Sequence, residues 1–271
     1  MSVMPSDYPR REVYPRAPLE FVACEIRYPL APALGQPAVP EAMLAAISHD
    51  LPIPREENVQ TLILGPGQTS AMTEPRFRFL DHKRTRSAVV GRSAVIVETT
   101  SYEEYEVFRA LVGNVLSAVR GITTVVGAER VGLRYINEIR VPGSIDSALD
   151  WRGWIADDIV AVLNTGEGLH TSTLETVLRM VSEPASITLR LAALTGNGVV
   201  GNEPLRRRST PSTGPFFVVD IDSFWEAGDG DLLDFELDRL LDLIDDLHGP
   251  VGHIFQSTLT DKLRRELWRE Q

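Results

Sequence analysis

Carboxylates and arginines are the residues of this chain whose types and spacing could support chemistry. Asp220 and Asp222 stand two residues apart in a predicted strand, so their side chains lie on the same face of it. Two carboxylates at this spacing can hold a divalent cation, or divide the roles of acid and base, if another element supplies a third ligand. A solvated strand face on which both aspartates pair with arginines explains the same residues without a function.

A predicted strand over residues 131–142 brings further charges. Charged and apolar side chains alternate along it, which is typical of a strand with one buried face, and residues 21–29 repeat its order Glu-Ile-Arg-x-Pro near the N-terminus. If these strands are neighbours in register, they form one charged sheet face with the two aspartates. Its candidate binding residues are Arg27, Arg134, Glu138, Arg140, Asp220 and Asp222. We expect this face to be the site if the protein is a small-molecule or nucleotide-binding enzyme, with or without a metal ion.

A second candidate site is a basic loop in the connector over residues 196–215. This connector is long for a compact domain and is either mobile or functional. Its arginines Arg206, Arg207 and Arg208 could bind phosphate groups, RNA or an acidic partner, because guanidinium groups make forked contacts to anions. Exposed loop charge without a function is the alternative. Gly196 to Gly201 match a dinucleotide-binding fingerprint by letter only, since Pro204 and the arginines follow where a helix would have to begin.

Composition restricts the function further. The net charge is -11, with 38 acidic against 27 basic residues, which disfavours general nucleic-acid binding. The single cysteine, Cys24, cannot form an internal disulfide and lies on the predicted buried face of its strand. The five histidines show no zinc-ligand spacing, and no serine lies in a hydrolase motif. We therefore predict no catalytic residue, no metal site and no cofactor.

The C-terminal tail carries an apolar seam. Apolar residues recur there at alternating spacings of four and three, which predicts that something packs along the helix. Both the sheet of the same chain and a protein partner are possible occupants, and the candidate interface residues are Leu237, Leu240, Ile244 and Leu247. Aspartates form an acidic face on the same tail. Gly249 and Pro250 predict either two helices that meet near His248 or one kinked helix.

Hydrophobic periodicity predicts the elements that must position these residues. The predicted strands are 19–28, 87–98, 123–141, 173–182, 185–195 and 216–225, with an irregular strand near 59–64 or 76–80. The predicted helices are 40–50, 102–120, 151–163 and the long tail. This order indicates an α+β fold whose antiparallel or mixed sheet has helices packed on one face, and two ferredoxin-like β-α-β-β-α-β-type halves sharing a long central strand are compatible with it.

The chain divides into an extended N-terminal arm over residues 1–17, a first α+β half over 18–142 and a second α+β half over 143–271, with one continuous domain as the alternative. The N-terminus lacks the apolar core of a secretory signal, and no apolar stretch is long enough for a membrane helix. We therefore expect a cytoplasmic, soluble protein.

Several blocks of the sequence resemble a sporadically distributed family of uncharacterised prokaryotic proteins of similar length. The blocks occur in the same order and comprise residues 18–29, 76–79, 97–102, 130–139, 220–222 and the tail from Leu247 to Asp261. The family has no established activity. Its sporadic distribution implies mobile gene neighbourhoods such as toxin-antitoxin or phage-defence loci. The resemblance, the seam and the acidic tail together favour a non-catalytic protein-interaction component, such as an antitoxin, immunity or defence accessory protein, that binds a protein partner or forms a homo-oligomer.

Overall fold

The structure is a computed structural model that describes residues 14–65, 68–161, 171–228 and 230–268. Within these ranges the chain forms nine β-strands and five α-helices. The strands are β1 (Leu19–Arg27), β2 (Ile53–Gly65), β3 (Gln68–Leu80), β4 (Arg86–Val90), β5 (Ala94–Thr99), β6 (Arg130–Ile139), β7 (Leu174–Ser182), β8 (Ala185–Gly196) and β9 (Gly214–Glu226). The helices are α1 (Val39–Ile47), α2 (Tyr105–Ile122), α3 (Asp157–Val160), α4 (Leu237–Thr258) and α5 (Asp261–Leu267).

All nine strands form one sheet in the order β2-β3-β4-β5-β1-β6-β9-β8-β7, and every neighbouring pair is antiparallel. Strand β6 pairs with β1 on one side and with β9 on the other. The predicted α+β class is confirmed. The finer prediction of two ferredoxin-like halves stays a prediction.

In two places the structure has a pair of antiparallel strands where the sequence predicted one strand. The predicted strand over 87–98 is divided into β4 and β5, because residues 91–93 make a tight turn in which the Gly91 amide donates to the Ala94 carbonyl at 2.9 Å. A Cβ on Gly91 would lie 3.3 Å from the Arg76 side chain. The segments near 59–64 and 76–80, predicted as alternatives for one strand, belong to β2 and β3, which pair with each other.

The helices pack on one face of the sheet and bury the apolar residues that alternate along the strands. On β1 these are Val22, Cys24 and Ile26, all fully buried. Helix α2 contributes the stripe that its period of three and four predicts, including Val112, Val115 and Leu116. Full burial of each such aliphatic side chain stabilises the fold by roughly 1.5–3 kcal/mol.

Helix α4 runs through Gly249 and Pro250 without a break. Of the two predicted alternatives, two helices meeting near His248 is therefore wrong, and a single helix passes through this segment. An interior proline costs a helix roughly 3 kcal/mol because it lacks an N–H group. Leu247 and Val251 lie on either side of the Gly-Pro pair and are both buried, so packing on the sheet holds this helix together. Helix α4 ends only at its C-cap Leu259. The Thr260 hydroxyl then caps α5 by accepting from the Leu263 amide.

The predicted helix over 151–163 is interrupted. A 3-10 helix over Ala148–Trp151 ends at Trp151, and the four residues of α3 follow only from Asp157 onward. Trp151 itself is buried and packs against the Phe217 ring, with ring centroids 5.4 Å apart. Residues 162 and 163 lie outside the described residues. Between the two helical pieces, Ile155 is buried and forms an isolated β-bridge with Leu259, a tertiary contact that helix periodicity does not predict.

No helix in the described part of the chain is both long enough and apolar enough to span a membrane.

Candidate functional site

The sheet face opposite the helices, here called the outer sheet face, carries the charged residues that the sequence singled out. Arg27 on β1 lies opposite Arg130 on β6, and Arg134 on β6 lies opposite Asp222 on β9. The alternation along β6 and β9 adds the remaining members of the set. The structure therefore brings Arg27, Arg134, Glu138, Asp220 and Asp222 onto one face of three adjacent strands, and Arg140, which directly follows β6, lies over the Phe216 ring at the same face.

Asp220 is fully engaged by arginines on this face. The Arg134 Nε and Nη2 atoms donate to its two carboxylate oxygens at 2.8 and 2.7 Å, in a bidentate pair. Arg190 on β8 donates to the Oδ2 atom of Asp220 at 3.5 Å. The Asp220 side chain is only 6% exposed, and both its oxygens already have donors. It is thus the electrostatic link between β6, β8 and β9.

Asp222 is neutralised by an arginine that the sequence analysis did not select. The Arg130 Nη1 atom donates to Glu25 at 3.0 Å, and its Nη2 atom donates to Asp222 at 3.0 Å. Burial raises the pKa of Asp222, and the Arg130 guanidinium counters part of that rise. Arg130 also lies over the Phe224 ring, 4.7 Å from its centroid. At the edge of the cluster Arg27 donates to Glu25 at 2.9 Å.

Glu138 holds the connector over residues 196–215 against the outer sheet face. Its side chain is 1% exposed and accepts from the Val199 and Val200 amides at 2.8 and 2.9 Å. Arg207 donates to both its oxygens, at 3.1 Å from Nη1 and 2.6 Å from Nη2. Gly198 has φ +133, and a Cβ there would clash with Glu138 Oε2. A glycine is therefore needed at this close approach.

The basic loop differs from the prediction of a mobile arginine run. The Arg207 side chain is only 4% exposed, and its Nη2 atom also lies 3.1 Å from Glu20 Oε2. Burial raises the pKa of Glu20, although Arg207 lowers it in part. Arg206 and Arg208 remain exposed, but the Arg206 amide donates to the Arg84 carbonyl at 2.6 Å, and Arg208 donates to the Leu19 carbonyl at 3.3 Å. The connector over residues 196–215, here called the strap, is therefore anchored to the sheet, and its arginines do not form a freely adapting cationic segment.

Arg140 joins the two ends of this strap. Its Nη2 atom donates to the Gly196 carbonyl and its Nη1 atom to the Ser212 carbonyl, each at 3.3 Å. The guanidinium lies over the Phe216 ring, 4.8 Å from its centroid. Burial lowers the pKa of Arg140 from its ordinary value. Under the strap lies a small apolar cluster of Ile136, Phe216 and Val218.

This arrangement is an ion-pair network that supports the structure. Each of its acidic members accepts from at least one arginine, so neither aspartate has an oxygen directed only at solvent. Among the described residues, no group of three or more His, Cys, Asp or Glu side chains is placed to hold a metal ion. The ion pairs of this face connect neighbouring strands with each other and the strap with the sheet.

A second polar cluster, which the sequence analysis missed, joins α2 to α4. Arg109 donates to both oxygens of Asp245 at 2.6 and 2.8 Å, and the Tyr105 hydroxyl donates to Asp245 at 2.6 Å. The His248 ring stacks on Tyr105 with centroids 3.8 Å apart, and its Nδ1 atom lies 3.0 Å from the Tyr135 hydroxyl. Burial raises the pKa of Tyr105 and of Tyr135. The only sequence signal was the position of Asp245 on the acidic face of the tail.

The apolar seam of the tail packs inside the protein. Leu240, Ile244 and Leu247 are fully buried in the core, and Leu237 packs against it. Leu240, Ile244 and Leu247 are therefore already covered by the protein's own sheet and helices, whereas Leu237 is partly exposed. Leu240, Ile244 and Leu247 therefore do not form an interface in this structure, because fully buried side chains present no surface to a partner.

Exposed apolar surface is concentrated instead on β7. This strand ends the sheet, and no described strand pairs with its outer edge. Val177, Leu178, Met180 and Val181 are 64%, 45%, 37% and 74% exposed. Natural proteins usually protect an edge strand with charges, prolines, bulges or a covering element. The sequence predicted this strand and its pairing with β8, but periodicity does not show which strand ends a sheet.

Comparison of the chain with known proteins finds no matching family model, no matching curated protein and no matching solved structure.

Proposed function

We propose that this protein is a non-catalytic protein-interaction component that binds its partner through the outer edge of β7. One observation carries the proposal. Strand β7 has nine residues and ends the sheet of described strands, so it presents backbone groups that no described strand pairs with, together with the exposed apolar side chains of Val177, Leu178, Met180 and Val181. Such an edge is a template for another strand, because every second amide and carbonyl points away from the sheet.

The mode of binding is strand addition. An extended segment that pairs with β7 gains backbone hydrogen bonds, and the apolar side chains on both faces of the edge select its sequence. Val177 and Val181 lie on the outer sheet face, opposite Arg190 and Ser186 of β8, whereas Leu178 and Met180 lie on the helix face. A partner strand would therefore bury apolar surface on both faces of the sheet.

The two other functions that the sequence leaves open have less support. An enzyme on the outer sheet face would need carboxylates free to act, and Asp220 and Glu138 are buried acceptors of arginine hydrogen bonds. Anion or RNA binding through Arg206, Arg207 and Arg208 would need three adaptable guanidinium groups, and Arg207 is buried against Glu138.

The protein class and the finer topology are part of this proposal. An antitoxin, immunity or phage-defence accessory protein is the class that the resemblance to prokaryotic proteins of mobile loci favours, since such proteins act by binding others. For the fold, the strand order β4-β5-β1-β6 with α1 and α2 between its strands supports a ferredoxin-like first half. The meander β7-β8-β9 beside β6 gives the second half less support.

The test compares co-purification by wild type and by an edge variant expressed in the native host. Val177→Lys combined with Val181→Lys places two charges on exposed positions of β7, where they do not disturb the core. Val126→Lys is the matched control, because Val126 is 77% exposed and lies outside β7. Circular dichroism and thermal unfolding confirm that all three proteins fold alike.

We expect a stoichiometric protein, identified by light scattering and mass spectrometry, with wild type and with the control. The double lysine variant loses it. Equal recovery of the protein by the double variant would overturn β7 as the binding surface. A wild-type chain that elutes bare and monomeric would overturn the interaction function itself.

A further inference from the structure

We propose that the partner at β7 is a second copy of this chain, paired antiparallel to the first about a twofold axis at Val177. This inference rests on the proposed function, since it names the occupant of the same edge. Two identical edge strands related by a twofold axis form an isologous interface, in which the same residues meet from both sides. The sheet then continues from one copy into the other.

The charges of β7 select the position of the axis. In an antiparallel pair of identical strands, a residue a given number of positions before the axis lies opposite the residue the same number of positions after it in the other copy. Glu175 and Arg179 are equidistant from Val177. Glu175 of each copy therefore lies opposite the partner's Arg179, and the interface contains two directly opposed ion pairs with the two Val177 side chains between them.

Other registers lose this match. An axis at Leu178 would place Arg179 opposite Val177 and leave Glu175 opposite Val181. An axis at Arg179 would place the two arginines opposite each other, and like charges at that distance are destabilising. Only the axis at Val177 puts both charged residues of the strand opposite their complements.

The two faces of the sheet also continue across this axis. Residues that meet are an even number of positions apart, so each side chain meets one from the same face. On the helix face Leu174 meets the partner's Met180, and Thr176 meets the partner's Leu178. Met180 and Leu178 are both exposed in the single chain. Their apolar surface is covered when Leu174 and Thr176 of the second copy lie beside them.

The two charged side chains are accessible for this contact. Glu175 is exposed on the outer sheet face, opposite Ala192 of β8. The Arg179 side chain is 63% exposed, with its Nη2 atom 4.0 Å from Glu226 and its guanidinium 5.5 Å from the Phe224 ring centroid. Both contacts hold Arg179 on the face where the partner's Glu175 would lie.

Charge reversal tests the register directly. Glu175→Arg places two arginines opposite each other at both ends of the interface, and Arg179→Glu places two glutamates there. The double variant E175R/R179E restores opposite charges in the same register. The control Glu41→Arg reverses an exposed acidic residue on α1, outside the edge. Sedimentation equilibrium over about 1 to about 100 µM protein measures the dimer dissociation constant of each.

We expect wild type, the double variant and the control to dimerise. Each single reversal weakens the dimer at least about tenfold, because two attractive pairs become repulsive. All five proteins share one circular dichroism spectrum, since the changed positions are exposed. A monomeric wild type overturns the second copy as the partner. Dimerisation that both single reversals leave unchanged overturns the edge, and failure of the double variant to recover overturns the register at Val177.

These outcomes separate the inference from the function it rests on. A monomeric wild type that still co-purifies a different protein, lost in the Val177→Lys and Val181→Lys variant, overturns the second copy but supports the binding function of β7. A monomeric wild type with no bound protein overturns both.

Discussion

Arg207 and Glu138 are separated by 69 residues of sequence, yet two guanidinium nitrogens of Arg207 donate to the two carboxylate oxygens of Glu138 in the buried space under the strap. The same carboxylate accepts from the Val199 and Val200 amides. One acidic side chain on β6 thus fixes both the first and the middle part of the connector. Its position explains why a segment rich in glycine, serine and proline forms an ordered layer over the sheet.

Glu138→Gln should destabilise the protein by about 3 kcal/mol, because it leaves the buried Arg207 charge without its main partner. Glu20, 3.1 Å from Arg207, keeps the loss at the lower end of the usual range for a broken buried ion pair. Urea unfolding measures the change. The control Glu203→Gln removes a carboxylate that is 73% exposed and should change stability by no more than about 0.5 kcal/mol. Equal stability of the two variants would show that the strap does not depend on Glu138.

Asp220 and Asp222 should bind no divalent cation, since arginines already occupy their oxygens. Isothermal titration of wild type with Mg²⁺, Mn²⁺ and nucleotides is expected to give no binding heat. The Asp220→Ala and Asp222→Ala double variant should be silent as well, and less stable because the arginines are left unpaired. Binding by wild type that the double variant loses would instead place a metal or nucleotide site on the outer sheet face.

Asp245 should contribute to acid denaturation. Burial alone would raise its pKa, but hydrogen bonds from Arg109 and Tyr105 hold that pKa below its ordinary value of 3.8. A carboxyl whose pKa is lower in the folded state stabilises the protein above its unfolded pKa, and this contribution is lost as the pH falls through the folded pKa. The raised pKa values of Glu20 and Asp222 act in the opposite direction, since their contribution is lost as the pH rises.

Asp245→Asn should therefore flatten the fall in unfolding free energy below pH 3.8, which guanidinium titrations at several pH values measure. The matched control is Asp246→Asn on the exposed side of α4. Its pH dependence should follow that of wild type. An identical acid limb in all three proteins would contradict the role given to the Arg109 and Tyr105 contacts.

Leu240→Ala should destabilise the protein by about 2–5 kcal/mol, because it removes a fully buried side chain from the contact between α4 and the sheet. The assembly state of the folded variant should equal that of wild type, since Leu240 lies in the core and not at an interface. Leu237→Ala, at a partly exposed position of the same helix, should cost less. If light scattering showed that a well-folded Leu240→Ala protein dissociates, the seam would be an interface after all.

Local patterns in the sequence determined the types of most elements and the faces of β1, β6 and β9. The alternation along residues 131–142 placed Arg134, Glu138 and Arg140 on the face opposite Leu133. Arg134 and Glu138 lie there in β6, and Arg140 lies just beyond the strand over the Phe216 ring. The three-four spacing in α2 and α4 likewise identified the residues that pack on the sheet. Periodicities of two and 3.6 residues follow from backbone geometry alone, so a single sequence reveals them without knowledge of the fold.

Only the tertiary structure decided which charged groups form hydrogen-bonded ion pairs with one another and which apolar side chains stay exposed. Arg130 reaches Asp222 and Glu25 because β6 lies between β9 and β1. Arg207 reaches Glu138 because the strap crosses the sheet, and Val177 is exposed because β7 ends it. Strand order and register are set by contacts between segments far apart in sequence, and no local period encodes them. The same alternating pattern therefore yields a buried carboxylate paired with an arginine on β6, and an edge that no described strand pairs with on β7.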